Sequence, residues 1–303
     1  MSLKAIKSKI KATIRTSKVT KAMEAVSAVK MRKSQERALQ GRPYAESALR
    51  ILERVSHARE VYSHPLFTKH ESGKHCFIIV TSDKGLAGSL NTGVLKEAYT
   101  RILGLPKDSV ELICFGKKSY EHFLRRGYTI PLHYLNVSDE VSLGDMDAVV
   151  AHVTQNFVQK KYQSVNIVYQ RFISTFEQNA TMSAVLPLTT EALIKMVEDI
   201  TPAHGRFSAQ QEQKKNAAAY TVEPSQSSVY DTLFPMLISI MVYHALLESK
   251  ASEHSARMVA MKNATDKAKE VSHLLTLAYN KARQAVITRE VSEITGGIEA
   301  MKS

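Results

Sequence analysis

Residues 251–285 have the sequence ASEHSARMVAMKNATDKAKEVSHLLTLAYNKARQA, and their spacing decides the fold. Small and apolar residues recur there at gaps of three or four, namely Ala251, Ser255, Met258, Met261, Thr265, Ala268, Val271, Leu275, Ala278, Ala282 and Ala285. Their mean gap is 34/10, or 3.4, which is close to the 3.5 of a left-handed coiled coil. Neither Gly nor Pro interrupts residues 236–294, so the pattern predicts a helix about 90 Å long. Because no compact domain buries such a helix along its whole length, it must project and pack against a second helix.

The N-terminal segment supplies the expected partner helix. Residues 1–40 contain no Gly or Pro. Apolar and small residues form a narrow stripe there at helical spacing, made of Leu3, Ile6, Ile10, Ile14, Ala22, Ala25, Val26 and Val29. We therefore expect residues 1–61 to form a long coiled-coil helix, kinked or broken near Pro43, that runs antiparallel to a C-terminal helix over residues 236–303.

The middle of the chain changes from helical to strand-like periodicity. Continuous apolar runs at 76–81 and 110–115 are typical of buried parallel strands. Shorter strand-like runs and helical segments alternate after them. This order predicts a Rossmann-like α/β domain over residues 75–200, followed by a loop-rich foot or linker over residues 201–235.

Charge is concentrated at the N-terminal end. The chain has 41 Lys and Arg against 29 Asp and Glu, a net charge of +12, and residues 1–60 carry 15 basic and 5 acidic residues, a net +10. Such a surface attracts nucleic acid, anionic lipid or an acidic protein. Two cysteines exclude a disulfide scaffold, and the longest apolar run, 236–247, falls short of the roughly 20 residues of a membrane-spanning helix. We expect a soluble protein of a reducing compartment that does not itself span the membrane.

Residues 82–91, SDKGLAGSLN, follow the first predicted strand and precede a helix, where α/β folds place phosphate-binding loops. Lys84 precedes Gly85, however, and the loop matches neither G-x-G-x-x-G nor G-x-x-x-x-G-K-[ST]. The first interpretation is a tight turn that uses glycine for positive φ. A loop that touches a protein partner and a nucleotide site are the alternatives.

Side chains that could catalyse a reaction or bind a metal are scattered along the chain. The 11 histidines lack a matching Cys, Asp or Glu cluster, and neither G-x-S-x-G nor H-E-x-x-H occurs. Cys76 and Cys114 fall in predicted buried strands, where an inert reduced thiol is expected. The sequence therefore predicts a protein without an active site, a metal or a cofactor.

Several motifs together resemble one family. They are VTKAME at 19–24, KMRKSQ at 30–35, the 82–91 loop, YTVEP at 220–224, SEHSARMVAMKNAT at 252–265, and the segment 280–297. These motifs occur in the order typical of one family. Over essentially its full length, the chain resembles the gamma subunit of F-type ATP synthases of the bacterial type. This resemblance implies a non-catalytic rotor shaft, which couples proton flow through a membrane c-ring to ATP synthesis or hydrolysis.

The resemblance also implies partners and a place in the cell. The shaft would turn inside three alpha and three beta subunits, and its foot would meet epsilon and the c-ring, with delta in the assembled complex. The complex would lie on the cytoplasmic face of a bacterial plasma membrane, with this chain as a peripheral component. No nucleic acid and no cofactor are implied.

The resemblance also implies contact roles for individual residues, according to their positions in these motifs. Met23, Arg283, Gln284 and Thr288 would contact the beta subunits, and Lys84 would lie close to the beta ring. The basic stripe of residues 4–33 would face acidic loops of beta. In the foot, the residues expected near the polar loops of the c-ring are Tyr220 and Glu223.

Two residues depart from the pattern of this family. Ala87 replaces the usual loop cysteine, and Pro235 stands where the helix continues in other members of the family, so we expect the C-terminal helix to start later or to kink.

Two other functions are alternatives to a rotor subunit. The net charge of +10 at the N-terminal end also suits a coiled-coil nucleic-acid-binding protein. The loop from Lys84 to Asn91 would suit a nucleotide-binding enzyme.

Overall fold

The computed structural model describes residues 2–40, 47, 64–189, 192 and 225–301. Five helices and five strands are described, in the chain order α1 Leu3–Gln40, β1 Lys74–Val80, α2 Leu90–Ile102, β2 Val110–Phe115, α3 Lys117–Leu124, β3 Thr129–Tyr134, α4 Asp147–Val158, β4 Tyr162–Phe172, β5 Gln178–Leu186 and α5 Gln226–Ala300. Short 3₁₀ turns lie at Pro65–Phe67, Lys107–Ser109 and Leu143–Met146.

The strands form one mixed sheet in the order β3-β2-β1-β4-β5. β1 pairs in parallel with both β2 and β4, β3 pairs in parallel with β2, and β5 runs antiparallel to β4. Ile78 of β1 lies opposite Ile113 of β2 and Ile167 of β4, and none of the three is more than 1% exposed. The continuous apolar runs are therefore buried parallel strands, as predicted.

Helices cover both faces of the sheet. Cys76, Ile78 and Val80 of β1 point to one face, into an apolar cluster with α4 and the first third of α5. Phe77 and Ile79 point to the opposite face, into a second cluster with α2 and α3. This alternation follows from the two-residue period of a strand. The predicted α/β class with long terminal helices is confirmed.

The start of α5 differs from the prediction. Pro235 was expected to delay the start of the helix to Met236 or to kink it, but the helix begins at Gln226 and continues through that proline. Proline lacks the N–H that would bond to the carbonyl four residues earlier, which costs about 3 kcal/mol. Phe234 and Leu237, on either side of it, are fully buried against the sheet, and burying each such side chain contributes about 1.5–3 kcal/mol. Packing on the sheet thus outweighs the local preference.

The chain divides into two compact units. One comprises residues 1–28 with 257–303, and the other comprises residues 29–256. In the first unit Thr20 of α1 contacts Thr265 of α5, and in the second Asp139 binds both Lys30 of α1 and His254 of α5. The first unit thus combines the start of α1 with the end of α5. The two helices are therefore antiparallel, as predicted.

The seam of α1 is more polar than predicted. Ile14, Ala22, Ala25, Val26 and Val29 were expected in it and are exposed instead. The residues that turn inward in the first unit recur at alternating gaps of three and four from Leu3 through Ile6, Ile10, Thr13 and Ser17 to Thr20, and Ser27 follows seven residues later. The stripe expected from hydrophobicity departs from this 3.5-residue period after Ile10, so it rotates away from α5.

A buried hydrogen bond joins the two helices inside this seam. The hydroxyl oxygens of Thr20 and Thr265 are 2.6 Å apart and buried. Each hydroxyl also lies within hydrogen-bond distance of a carbonyl of its own helix, that of Thr16 at 3.1 Å and that of Met261 at 2.8 Å. A directional bond of this kind favours one register over a shifted one.

The predicted seam of small and apolar residues on α5 is buried over only part of its length. Met261, Thr265 and Ala268 are buried, whereas Ala278 and Ala285 are exposed. Thr20 lies beside Thr265, so antiparallel pairing places the first residue of α1, Leu3, near position 282 of α5. Beyond that position α1 cannot cover α5, and the seam ends.

Part of α5 is long and apolar enough to cross a membrane by length and composition. Of its most apolar 18-residue window, 72% is buried inside the protein. A core helix that packs on a sheet has the same property, and α5 packs on this sheet from Tyr230 to Leu246.

Candidate functional site

The glycine loop between β1 and α2 is held closed by its own side chains. The Ser82 amide donates to Asn91 Oδ1 at 2.9 Å, and Asn91 Nδ2 donates to Ser82 Oγ at 2.8 Å. Asp83 Oδ1 accepts hydrogen bonds from the backbone amides of Lys117, at 2.9 Å, and Asn136, at 3.0 Å. The Asp83 carboxylate thus caps the N-terminus of the neighbouring helix α3, while Ser82 and Asn91 bond to each other within the loop. This geometry favours the tight-turn interpretation over a nucleotide site.

The outward side of this loop presents Lys84 and Leu86. Lys84 is exposed, and Leu86 is 65% exposed with a φ of +62°, a left-handed conformation that is uncommon for a bulky side chain. Gly88 also has a positive φ, of +58°, and Ala87 beside it is buried. The predicted site residue Lys84 thus lies on a turn that exposes one cation and one apolar side chain.

Three of the predicted contact residues lie together on α5. Arg283, Gln284 and Thr288 are exposed, and Gln284 and Thr288 are four residues apart, on one face of the helix. Met23 is half-buried on α1, three residues from the Thr20–Thr265 contact. At 1.5 Å per residue, Met23 and Arg283 are about 30 Å apart along the helices. The structure therefore separates Met23 from the other three residues.

An apolar stripe at the end of α5 was missed by the motif comparison. Its gaps are four, three, four and three residues, and its members are 45% to 89% exposed, namely Ile287, Val291, Ile294, Ile298 and Met301. The spacing that identified the seam could have identified this stripe as well. Exposed apolar residues in a contiguous row mark an interaction surface.

The basic stripe of α1 is solvent-facing. Its exposed cations in the first unit include Lys4, Lys7, Lys11, Arg15, Lys18 and Lys21, and Glu24 is the sole acidic residue among residues 1–28. The surface is positive over about 25 Å of helix. It suits an acidic partner, as the sequence predicted.

A charged cluster around Asp139 was not predicted. Asp139 lies in the loop after β3 and binds Lys30 at 2.7 Å and His254 at 2.9 Å. The hydrogen bond from His254, together with that from Lys30, holds the pKa of Asp139 well below its ordinary value. Sequence patterns did not reveal this cluster because its members come from three distant segments.

Titratable groups at one end of the sheet domain pair with one another. Tyr162 donates to Glu111 at 2.8 Å, His152 Nε2 lies 2.9 Å from the Tyr162 oxygen, and Lys74 pairs with Glu111 at 2.7 Å. Burial raises the pKa of Tyr162 above its ordinary value. The network lies at the amino ends of the parallel strands, whereas ligands of α/β sheets bind at the carboxyl ends. It stabilises the sheet.

Neither thiol is placed for chemistry. Cys76 and Cys114 are 0% exposed, burial raises the pKa of Cys114 to about 12, and it raises that of Cys76 further. Among the described residues, no group of three His, Cys, Asp or Glu side chains could hold a metal ion. The predicted foot residues Tyr220 and Glu223 lie outside the described residues.

Comparisons with known proteins agree with one another. A family model described as ATP synthase matches residues 2–301. The chain is 37% identical to the ATP synthase gamma chain of Heliobacterium modesticaldum over 98% of both chains. It is 38% identical to that of Methylobacillus flagellatus over 98% of this chain and 99% of the relative.

Solved structures match the fold as well. The chain is similar to a chain of the Euglena gracilis mitochondrial ATP synthase rotor, with a TM-score of 0.60 and 19% identity, over 94% of this chain and 98% of that one. A chain from an OSCP/F1/c-ring structure of the same enzyme gives a TM-score of 0.64 and 20% identity over 99% and 94%. Because the sequence identities to these two structures are below 25%, the similarity shows a shared fold.

Proposed function

The chain belongs to the ATP synthase gamma chain family, and we propose that, as the central-stalk rotor subunit, it turns inside a ring of three alpha and three beta subunits. It is a non-catalytic subunit of its complex. Its foot would contact epsilon and the membrane c-ring, with delta elsewhere in the complex. The matched relatives come from bacteria, which supports a peripheral position on the cytoplasmic face of the plasma membrane.

The observation that carries this proposal is the uncovered end of α5. From position 283 onward the helix extends past α1 by roughly 27 Å, at 1.5 Å per residue. Its apolar stripe, which includes Ile287, Val291 and Ile294, is exposed in the chain by itself. An enclosing apolar sleeve would cover the stripe without requiring directional bonds, so the helix could turn within it.

The polar residues of the shaft would provide the contacts that depend on rotational position. Arg283, Gln284 and Thr288 carry donors and acceptors on an exposed helix face, and Met23 lies about 30 Å away along the coiled coil. An asymmetric shaft that contacts one beta subunit more than the others changes the population of that subunit's conformations. Rotation would then move this bias from one catalytic site to the next.

Reconstitution from separately purified alpha and beta subunits tests the proposal. We expect one copy of the chain per three beta subunits to yield an active ATPase complex. A chain truncated after Asn280 should lose ATP-driven proton pumping once the complex is joined to its membrane sector. The matched control ends at Ala300 and lacks the last three residues, so it retains nearly the whole stripe and should pump normally.

Other outcomes would contradict the proposal. If no complex forms with cognate alpha and beta subunits, the chain is not their rotor. The basic face of α1 would then be tested against duplex DNA, where binding that weakens steeply with salt would support the nucleic-acid alternative. If the truncation pumps normally, the end of α5 does not carry torque.

A further inference from the structure

A segment of α5 is enclosed on every side although most of it is polar. All twelve residues from His244 to Ser255 are buried, and eight of them are polar or charged. A helix on a protein surface keeps such residues in water. Buried charges need partners, since burying an unpaired charge is costly. The segment therefore lies in a polar collar formed by the surrounding elements.

A loop and a strand of the second unit form part of this collar. Lys250 Nζ donates to the carbonyl of Val137 at 2.8 Å, in the loop after β3. Ser252 Oγ donates to the Gln170 carbonyl of β4 at 3.1 Å. Side chains on different sides of α5 are thus bonded to the backbone of the sheet domain.

The hairpin between β4 and β5 adds a further bond. Ser255 Oγ donates to the Thr175 carbonyl at 2.7 Å. Like the bonds of Lys250 and Ser252, this one attaches a side chain of α5 to a main-chain carbonyl. Each bond acts away from the helix axis, where it can resist rotation of the helix about that axis.

Asp139 connects the collar to the other long helix. Its Oδ1 lies 2.9 Å from Nε2 of His254 on α5, and its Oδ2 lies 2.7 Å from Nζ of Lys30 on α1. Lys250 Nζ stands 3.8 Å from the same carboxylate. Arg37 of α1 donates to the Asp139 carbonyl at 2.5 Å and to Glu140 at 2.9 Å. One carboxylate thus faces basic groups from both helices, which would repel one another without it.

We propose that Asp139 is a positioning residue that fastens α1 and α5 to the sheet domain, so that the second unit transmits torque as one body. Apolar packing holds the layers together but has no direction, whereas charge-assisted hydrogen bonds fix angle and register. The inference rests on the proposed rotor function. It goes further in locating where force passes between the sheet domain and the two helices.

The test is Asp139→Asn in the reconstituted complex with its membrane sector. Asparagine keeps the shape of aspartate and removes its charge. We expect ATP hydrolysis and subunit content to stay at wild-type levels. Protons pumped per ATP hydrolysed should fall at least about twofold, the lower end of the effects seen for residues in coupling networks.

The matched control is Glu97→Gln, which removes a carboxylate paired with Arg101 on α2, a helix away from α1 and α5. It should leave the ratio of protons to ATP unchanged. A purely structural role for Asp139 would lower the amount of complex without changing that ratio, and this result would overturn the inference. An unchanged ratio in a fully assembled Asp139→Asn complex would overturn it too.

A covalent bridge provides the rescue. Lys30→Cys combined with Asp139→Cys should pump poorly until a short bismaleimide joins the two positions. Cys76 and Cys114 are 0% exposed and should escape the reagent. If the bridged protein still pumps poorly, the inference fails, whereas a wild-type complex that does not pump at all would instead contradict the proposed function.

Discussion

Gly116 shows how a single residue shapes the loop region of the sheet domain. It follows β2 with a φ of +90°, and a Cβ at this position would collide with the carbonyl oxygen of Thr81. We predict that Gly116→Ala lowers the free energy of unfolding by about 3 kcal/mol or more, because strain and collision act together. Urea denaturation of the purified chain measures this.

Gly104→Ala is the matched control for that substitution. A Cβ on Gly104 would meet no atom within 4 Å, and its φ lies outside the positive range. The change should alter the free energy of unfolding by about 0.5 kcal/mol or less. Equal effects at the two glycines would show that the contact with Thr81 does not constrain Gly116.

His244 makes stability depend on pH. It is buried in α5, and burial, aided by the charge of Arg171, lowers its pKa to about 4. The unfolded chain, with a histidine pKa near 6.5, binds a proton that the folded chain excludes between these values. The free energy of unfolding should therefore fall as pH drops from about 6.5 to about 4, by at most roughly 3 kcal/mol.

The measurement is urea unfolding at several pH values for wild type and His244→Phe. Phenylalanine cannot titrate, so the variant should have a smaller slope in this window. His122 and His152, whose pKa values burial also lowers, account for part of the slope that remains. Asp139 adds little to the slope in this window. Because its pKa is lowered in the folded protein, its effect on the free energy of unfolding changes with pH only below about pH 4. Identical slopes in the two proteins would mean that His244 is not the group responsible.

At the scale of elements, Pro235 tests whether packing or local preference controls α5. The helix passes through this proline, which cannot bond to the Asp231 carbonyl. Pro235→Ala should restore that bond and raise the free energy of unfolding by about 1–3 kcal/mol, after allowing for the more flexible unfolded chain. Thermal or urea denaturation checks the sign.

Pro65→Ala is the comparison for this substitution. Pro65 begins a 3₁₀ turn, a position where proline is favourable because no N–H is needed. Its replacement should give no gain in stability. If Pro235→Ala is equally neutral, the missing hydrogen bond at Pro235 has a substitute in the native protein.

For the whole molecule, the positive face of α1 should guide assembly with an acidic partner. Replacing three exposed lysines, Lys7, Lys11 and Lys18, with glutamine should slow association with the alpha and beta subunits. Association of the wild-type chain should also weaken between about 0.05 and 0.5 M salt, and the variant should respond less. Stopped-flow light scattering follows both effects.

The control for charge is a triple change on the sheet domain. Lys69, Lys96 and Lys160 are exposed there, and replacing them with glutamine removes the same net charge. Association should keep its salt dependence in that variant. If both triple variants behave alike, net charge rather than the position of the α1 stripe governs assembly.

The elements of this protein could be predicted from local patterns. The parallel strands follow from continuous apolar runs, and the two long helices follow from unbroken stretches with a repeat of about 3.5 residues. The surface residues Lys84, Arg283, Gln284 and Thr288 came from motif resemblance, and the structure shows that all four are exposed. Their contacts with partners stay a prediction.

The sequence by itself determined which segments are helix and strand, because periodicity is a property of neighbours along the chain. Only the tertiary structure decided that α5 starts at Gln226, that hydroxyls rather than Val26 line the α1 seam, and that Asp139 joins both helices. Each of these depends on groups far apart in sequence. Packing against the sheet or a partner helix overrides local preference at such positions, since burial of an apolar side chain contributes more free energy than propensity does.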